Sequence, residues 1–238
     1  MRTRSASAVR KSACILRAVE RPFLPETPMT DVIAAARAAN RTILSEVEAK
    51  QLLAEAGINV TETRLATSID EAAAHAAELG YPVALKVVSD KITHKTDVGG
   101  VELGVADEDA LRAACERIHE RVTAAVDDPQ AQGVSVQPMA EPGAEVILGI
   151  TQDQQFGPVL MFGLGGVFVE VLKDVAFRIV PLEPRDAAEM VREIQGFPLL
   201  EGFRGQPAAN LEAIESMLLQ LSEFAEANPE IAELDLNP

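Results

Sequence analysis

Residues 81–105 read YPVALKVVSDKITHKTDVGGVELGV. Two short apolar segments, Val83–Val88 and Val101–Val105, lie on either side of a polar loop that ends in two glycines. Short valine-rich runs bounded by such loops predict β-strands. Lys86 lies inside the first run, where a buried ammonium group is costly unless it meets an anion. A phosphate is one such anion, and a strand-edge lysine whose ammonium reaches water is the alternative.

Helices and strands alternate through the first half of the chain. Ser45 with Glu48 and Ser68 with Glu71 form capping-box patterns, each followed by an apolar stripe and a closing glycine. These patterns predict where the first two helices begin and end. The elements expected in this half are helices over about 45–56, 68–79 and 109–126 and strands over about 60–65, 83–88 and 101–105.

The second half has a different pattern, because strand candidates follow one another with only turns between them. This is typical of an antiparallel sheet. The strands are expected over about 134–137, 145–151, 159–162, 167–172, 177–180 and 231–236, and helices over about 185–194 and 211–226. We therefore predict an α/β protein of two α+β lobes, residues 29–136 with a leading helix and residues 137–238.

Composition excludes several classes of function. The 238 residues carry a net charge of −16, which argues against a nucleic-acid partner, and no apolar run is long enough to cross a membrane. Cys14 and Cys115 form neither a CxxC motif nor a disulfide pattern, so a reducing cytoplasm is expected. Residues 1–28 differ in carrying a net charge of +4. We expect them to form an unstructured extension rather than a transit peptide or an RNA-binding arm.

The loop Ser89–Gly100 holds the main candidate for covalent chemistry. His94 lies among lysines, threonines and an aspartate, a setting in which an imidazole could act as a base or accept a phosphoryl group. Gly99 and Gly100 could let successive backbone N–H groups cradle a phosphate. A solvated loop histidine is the alternative.

Two further stretches could bind a nucleotide or a metal. Residues 162–166 read FGLGG and could wrap a phosphate, although a glycine-rich hairpin turn would look the same and the P-loop pattern is missing. Asp235 and Asn237 are two positions apart, so a strand would place both on one face, where their oxygens suit Mg²⁺. Polar residues facing solvent at a strand end are the alternative.

These segments resemble the beta subunit of ADP-forming acetyl-CoA synthetase, also called NDP-forming acyl-CoA synthetase, a relative of the succinyl-CoA synthetase beta subunit. The similarity extends over residues 44–238. In the family's order, the blocks that carry it are YPVALK (81–86), THKTDVGG (93–100), FGPVLMFGLGG with VEVLKDVAFR (156–166 and 169–178), GFRG (202–205) and ELDLNP (233–238). The resemblance implies an ATP-grasp fold, in which two lobes hold ATP or ADP, with Mg²⁺, in a cleft between them.

The resemblance also implies roles for individual residues. His94 matches a histidine that relays a phosphoryl group between the nucleotide and a phosphohistidine of a partner subunit. Lys86 matches the lysine that contacts the nucleotide phosphates. The other implied site residues are Gln137, Pro138 and Met139 beside adenine, Glu145 in the nucleotide cleft, Arg178 as a neutralising charge and Asn237 as a metal ligand. The sequence patterns add Gly99, Gly100, Gly165 and Gly166 as candidate phosphate loops and Asp235 as a second metal ligand.

The implied activity is that of an acid–thiol ligase, in which acyl-CoA, ADP and phosphate give a carboxylic acid, CoA and ATP. It requires a CoA-binding alpha subunit that carries the main phosphohistidine, and hence a hetero-oligomer. The family completes its metal site with an aspartate beyond the Asn-Pro turn, so a truncated C-terminal lobe is expected here. A non-catalytic ATP-grasp remnant, or the ATP-grasp part of a protein acetyltransferase system, is the alternative function.

Overall fold

The computed structural model describes residues 29–89, 92, 95–125, 133–140, 142–166 and 172–236. These residues divide into two compact units. In this part of the chain, the first unit comprises residues 29–55 and 60–139, and the second comprises residues 56–59 and 140–236. Each unit has its own four-stranded antiparallel sheet. The extension predicted over residues 1–28 lies outside the described residues.

The first unit builds its sheet in the order β1-β4-β2-β3, with every neighbouring pair antiparallel. The central strand β2 directs Val83, Leu85 and Val87 into a core formed with α3 and α4. The elements are α1 (Met29–Ala38), α2 (Glu46–Glu55), β1 (Arg64–Ala66), α3 (Ile69–Leu79), β2 (Val83–Val88), β3 (Val101–Val105), α4 (Glu108–Ala125) and β4 (Gly133–Pro138).

The first predicted capping box forms completely, whereas in the second the Glu71 carboxylate accepts the N–H of Thr67 instead of that of Ser68. The hydroxyl of Ser45 accepts the backbone N–H of Glu48 at 3.3 Å, and the Glu48 carboxylate accepts that of Ser45 at 2.7 Å. The Ser68 hydroxyl likewise accepts the N–H of Glu71 at 3.2 Å. Because these contacts are local, the sequence predicted α2 and α3 to within a residue at each end. Helix α1 was not predicted as a separate element, since no capping box precedes it.

The second unit builds its sheet in the order β7-β6-β5-β8, again antiparallel throughout. Helices α5 and α7 pack against one face of this sheet and against each other. Leu148, Leu160 and Phe162 are almost fully buried on that face. The elements are β5 (Val146–Asp153), β6 (Gly157–Leu164), β7 (Val175–Ile179), α5 (Pro184–Glu193), α6 (Phe197–Leu200), α7 (Leu211–Ala227) and β8 (Glu233–Leu236).

The antiparallel organisation predicted for the second half is confirmed, with β7 and β8 shifted by a few residues from the predicted ranges. The short helix α6 was not predicted. The strand predicted at 167–172 lies, apart from Leu172, outside the described residues. None of the helices in the described part of the chain has both the length and the apolar character that a membrane span requires.

Candidate functional site

Three lysines of the first unit converge on one carboxylate. Glu46 at the start of α2 accepts hydrogen bonds from Lys50 and Lys86 at 3.0 Å through Oε1 and from Lys95 at 2.8 Å through Oε2. The lysines come from α2, from β2 and from the turn that precedes β3. Each lysine side chain is 22% exposed and Glu46 is 19% exposed. Three ammonium groups around one carboxylate leave a local charge of +2, which suits a polyanionic ligand.

Lys50 is the most extensively bonded member of this cluster. Besides Glu46, it donates to the hydroxyl of Thr63 and to the side-chain oxygen of Gln137, both at 2.8 Å. Thr63 in turn donates to the carbonyl of Thr61 at 3.0 Å. Lys50 therefore ties α2 to the segment before β1 and to the end of β4.

The proximity of these charges shifts the pKa values of Glu46 and Lys50. Burial opposes ionisation of Glu46, but the attraction of Lys50, Lys86 and Lys95 outweighs it and holds the pKa of the carboxyl group far below its ordinary range. Burial lowers the pKa of Lys50, partly offset by Glu46, and repulsion from the other two lysines lowers it further. Glu46 therefore stays ionised across the physiological pH range.

The two glycines at the end of the loop form a tight turn that fixes Lys95. The backbone N–H of Gly100 donates to the carbonyl of Lys95 at 2.8 Å, and the N–H of Gly99 donates to Thr96 at 3.0 Å. A Cβ atom on Gly100 would lie 2.5 Å from Cγ1 of Val87, so only glycine fits there. Both N–H groups are therefore occupied within the turn, whereas the sequence predicted that they would cradle a phosphate.

The segment predicted to contact adenine lies at the end of β4 in the first unit. Gln137 and Pro138 end this strand opposite Ala84 and Val83 of β2. The side chain of Gln137 accepts from Lys50, as described above. The next backbone N–H, that of Met139, donates to the carbonyl of Pro82 at 3.1 Å.

In the second unit, the sheet face away from the helices combines apolar and acidic side chains. Strand register places Asp235, Gly149, Met161 and Phe177 in one row across the four strands. A parallel row two residues along contains Glu233, Thr151, Val159 and Ile179. We call these two rows the open face. Phe177 and Ile179 are each 51% exposed there.

Asp235 is the described member of the predicted metal pair. Burial, and then the negative charge of Glu233, raise the pKa of its carboxyl group. Its predicted companion Asn237 lies outside the described residues. Among the described residues, no group of three or more His, Cys, Asp and Glu side chains could hold a metal ion.

The other site residues predicted in the second unit fall into two groups, one formed by Glu145, Gly165 and Gly166 and the other by Arg178 alone. The carbonyl of Glu145 accepts the N–H of Gly165 at 2.8 Å, and Gly166 follows with a φ of +62°. A Cβ atom on Gly166 would lie 3.0 Å from the Glu145 carboxylate. Arg178 lies on the helix-packed face, opposite Leu160, and donates to Glu193 of α5 at 2.5 Å.

Sequence patterns did not single out Glu46, Lys50 or Lys95. Glu46 and Lys50 are four positions apart on a helix, which is the spacing of an ordinary surface ion pair. Lys95 was noted as part of the loop without a role of its own. His94, the predicted phosphoryl carrier, lies outside the described residues, and Lys95 next to it is described.

Comparisons with known proteins agree with this architecture. Residues 35–238 match the ATP-grasp domain family. The beta subunit of acetate–CoA ligase [ADP-forming] II from Pyrococcus furiosus is 46% identical over 202 residues, which is 84% of this chain and 86% of that protein.

Two solved structures of acetyl-coenzyme A synthetase 1 from Ca. Korarchaeum cryptofilum are also similar. One, in complex with coenzyme A, Ca-AMPCP and HgCl⁺, is 44% identical with a TM-score of 0.86 and covers 89% of this chain and 92% of its own. The other, in complex with coenzyme A and Mg-AMPPCP, is 42% identical with a TM-score of 0.78 and the same coverage. The chain thus belongs to the ATP-grasp family, among the beta subunits of ADP-forming acetate–CoA ligases.

Proposed function

We propose that the chain is the nucleotide-binding subunit of an ADP-forming acyl-CoA ligase and transfers a phosphoryl group between a histidine and ADP. In the overall reaction, acyl-CoA, ADP and phosphate yield a carboxylic acid, CoA and ATP. The observation that carries the proposal is the convergence of Lys50, Lys86 and Lys95 on Glu46, which leaves excess positive charge next to the loop of His94. A nucleoside diphosphate or triphosphate supplies the matching negative charge.

Positioning and charge neutralisation supply most of the rate in phosphoryl transfer, so the nucleotide site needs fixed cations around the phosphates. The Lys86 ammonium is held on a central strand of the sheet and is already ordered by Glu46. Such preorganised charges need little rearrangement when phosphate arrives. Lys86 therefore stabilises the charge on the phosphoryl oxygens during transfer.

Mg²⁺ accompanies the nucleotide in this proposal, as it does in the related complex with Mg-AMPPCP. It would neutralise phosphate charge, with Asp235 and Asn237 as its protein ligands. Asp235 fits this role in part, because its carboxylate lies on the open face with no described cation beside it.

The partner in this proposal is a CoA-binding alpha subunit that carries the main phosphohistidine, and the two form a hetero-oligomer in the cytoplasm. The similarity to a protein named as a beta subunit supports such a partner. One related structure has a phosphohistidine segment that points towards the nucleotide binding site. His94 relays the phosphoryl group from that segment to ADP.

Phosphoryl transfer tests the proposal directly. The chain is combined with its alpha partner and ATP labelled at the γ-phosphate, and acid-labile label is mapped together with acyl-CoA synthesis. We expect His94→Asn to abolish labelling at that position and to stop acyl-CoA synthesis. His119→Asn is the matched control, since His119 is exposed on α4.

Two results would contradict the proposal in different ways. Full activity and unchanged labelling in His94→Asn would show that the relay runs through another residue. If the wild-type pair neither binds ADP nor transfers phosphate, the chain is a binding or regulatory module instead.

A further inference from the structure

We propose that the three lysines around Glu46 have different tasks: Lys86 and Lys95 bind the nucleotide phosphates, whereas Lys50 is a structural anchor that contacts no ligand. The proposed function assigned the phosphoryl oxygens to Lys86 and gave Lys50 and Lys95 no separate roles. This inference rests on that function, because it assumes that a nucleotide phosphate occupies the cluster. Lys95 thereby becomes a binding residue that no sequence pattern indicated.

The argument begins with the hydrogen-bond donors. A lysine ammonium has three N–H donors and no acceptor. Lys50 directs one to each of three acceptors, which are Glu46, Thr63 and Gln137, at 3.0, 2.8 and 2.8 Å. No donor remains on Lys50 for a ligand, and binding one would require breaking an existing bond.

Lys86 and Lys95 differ from Lys50 in this respect. Within the part of the chain that the structure describes, Glu46 is the acceptor that each of them contacts, at 3.0 and 2.8 Å. Each therefore retains N–H donors that a phosphate oxygen can accept. Hydrogen bonds between ammonium and phosphate are charge-assisted and are among the stronger ones in proteins.

Accessibility does not explain the difference. The side chains of all three lysines are exposed to the same extent, 22%. What separates them is the number of donors already used. The three lysines therefore form a naturally matched set for experiment, with similar burial and one shared partner.

The backbone around Lys95 is hydrogen-bonded to the strand that carries Lys86. The Lys95 carbonyl accepts the N–H of Gly100, and the Gly100 carbonyl accepts the N–H of Val87 at 2.7 Å. Val87 directly follows Lys86 on β2. Two backbone hydrogen bonds thus connect the segments that carry the two lysines. Both ammonium groups also contact the same Glu46 carboxylate, at 3.0 and 2.8 Å, so a single phosphate group can reach both.

Binding of ADP and of adenosine to single Lys→Met variants separates the tasks. Methionine keeps the length of the side chain and removes its charge and donors. We expect Lys86→Met and Lys95→Met each to weaken ADP binding roughly 10- to 100-fold, the loss that follows from removing a charge-assisted hydrogen bond. Adenosine binding should not change in either variant, because adenosine has no phosphate.

Lys50→Met should leave the ratio of ADP affinity to adenosine affinity close to that of the wild type while lowering the thermal unfolding midpoint. Lys173→Met is the control for loss of a lysine, since Lys173 is exposed in the second unit. A loss of ADP affinity in Lys50→Met as large as that in Lys86→Met would overturn the inference, as would unchanged ADP affinity in Lys95→Met. If wild-type protein binds ADP no better than adenosine, the proposed function itself fails.

A measurement on the wild-type chain avoids any dependence on how the variants fold. Lysines are acetylated under limiting conditions with and without ADP, and the modification at each position is quantified by mass spectrometry. ADP should lower modification of Lys86 and Lys95 and leave that of Lys50 unchanged. Protection of Lys50, or no protection of Lys95, would refute the assignment.

Discussion

The two sheets of the molecule share one architecture and differ in what lies on one face. In the first unit, the face that carries Lys86 is joined to helix α2 through Glu46, so a charged side chain lies in a network of ion pairs. In the second unit, the open face carries Phe177 and Ile179, each half exposed, with Asp235 and Glu233 on the edge strand. One face is cationic and internally bonded, and the other is apolar with an acidic edge.

This difference shows how a protein can prepare for a ligand in two ways. Partly buried charges need partners at all times, so the lysines have Glu46 before any phosphate arrives. Exposed apolar groups need no partner, and the cost of leaving them in water is modest for one or two side chains. We therefore expect the first face to be sensitive to loss of charge and the second to tolerate substitution.

The largest expected effect is a difference in the free energy of unfolding between substitutions on the two faces of the second sheet. Phe162 is fully buried on the helix-packed face, and Phe162→Ala should lower the free energy of unfolding by about 3–5 kcal/mol. Phe177 lies on the open face, and Phe177→Ala should lower it by about 1 kcal/mol or less. Urea unfolding followed by circular dichroism measures both, and equal losses would mean that the open face is covered in solution.

The next effect concerns Glu46. Glu46→Ala leaves three ammonium groups without their shared carboxylate, and we expect a loss of about 2–3 kcal/mol in the free energy of unfolding. Glu55→Ala on the exposed side of the same helix is the matched control and should cost far less. A variant of Glu46 as stable as this control would show that the ion pairs contribute nothing.

The stabilisation from Glu46 should also depend on pH. The pKa of Glu46 is depressed in the folded protein, so its contribution is complete above the ordinary value of 4.5 and is lost as pH falls towards the folded pKa. The gap in thermal midpoint between wild type and Glu46→Gln should therefore be constant above about pH 5 and narrow in more acidic solution. A gap that does not depend on pH would show that charge is not its source.

The smallest effect is expected at Asp235 and has the opposite sign. The pKa of Asp235 is raised in the folded protein above its ordinary value of 3.8. The protonated carboxyl group therefore stabilises the fold below pH 3.8, and this stabilisation is lost as pH rises through the folded pKa. Asp235→Asn should therefore be slightly more stable than wild type at pH 7, by about 0.5 kcal/mol or less.

Asp153 offers an opposite control for Asp235 in the same sheet. The backbone N–H groups of Gln155 and Phe156 donate to its carboxylate and lower its pKa. Thermal midpoints at pH 7 should thus rise slightly for Asp235→Asn and fall for Asp153→Asn. A fall in both would mean that Asp235 has a stabilising partner in solution.

The parts of the fold that depend on near neighbours in sequence were predictable. Ser45 and Ser68 identified two helix starts because each caps a backbone N–H only three positions further along the chain. Strand β1 was harder: residues 60–65 were expected to be extended, but only Arg64–Ala66 pair, opposite Val134–Val136 of β4. The length of a strand depends on its partner, which lies about seventy positions further along the chain.

Contacts between residues that are distant in sequence also limited the prediction of the candidate site. Lys86 could be identified because a charged residue interrupts an apolar strand, which is a local anomaly. Glu46 could not, since its partners Lys86 and Lys95 lie 40 and 49 positions away. The tasks of Gly99 and Gly100 were also predicted only in part, because the sequence shows where a turn occurs and not which N–H groups the turn itself uses.

Strand β8 has the sequence ELDL, in which acidic and apolar residues alternate. The register of the strand determines which of the two kinds lies on each face of the sheet. Leu234 and Leu236 pair with Ile150 and Leu148 on the helix-packed face, while Glu233 and Asp235 lie on the other. Because side chains alternate with a period of two, shifting the pairing register of this strand by one residue would reverse the arrangement. Carboxylates would then face the apolar core. Changes in the length of the preceding turn should accordingly be tolerated only where they leave this pairing register unchanged.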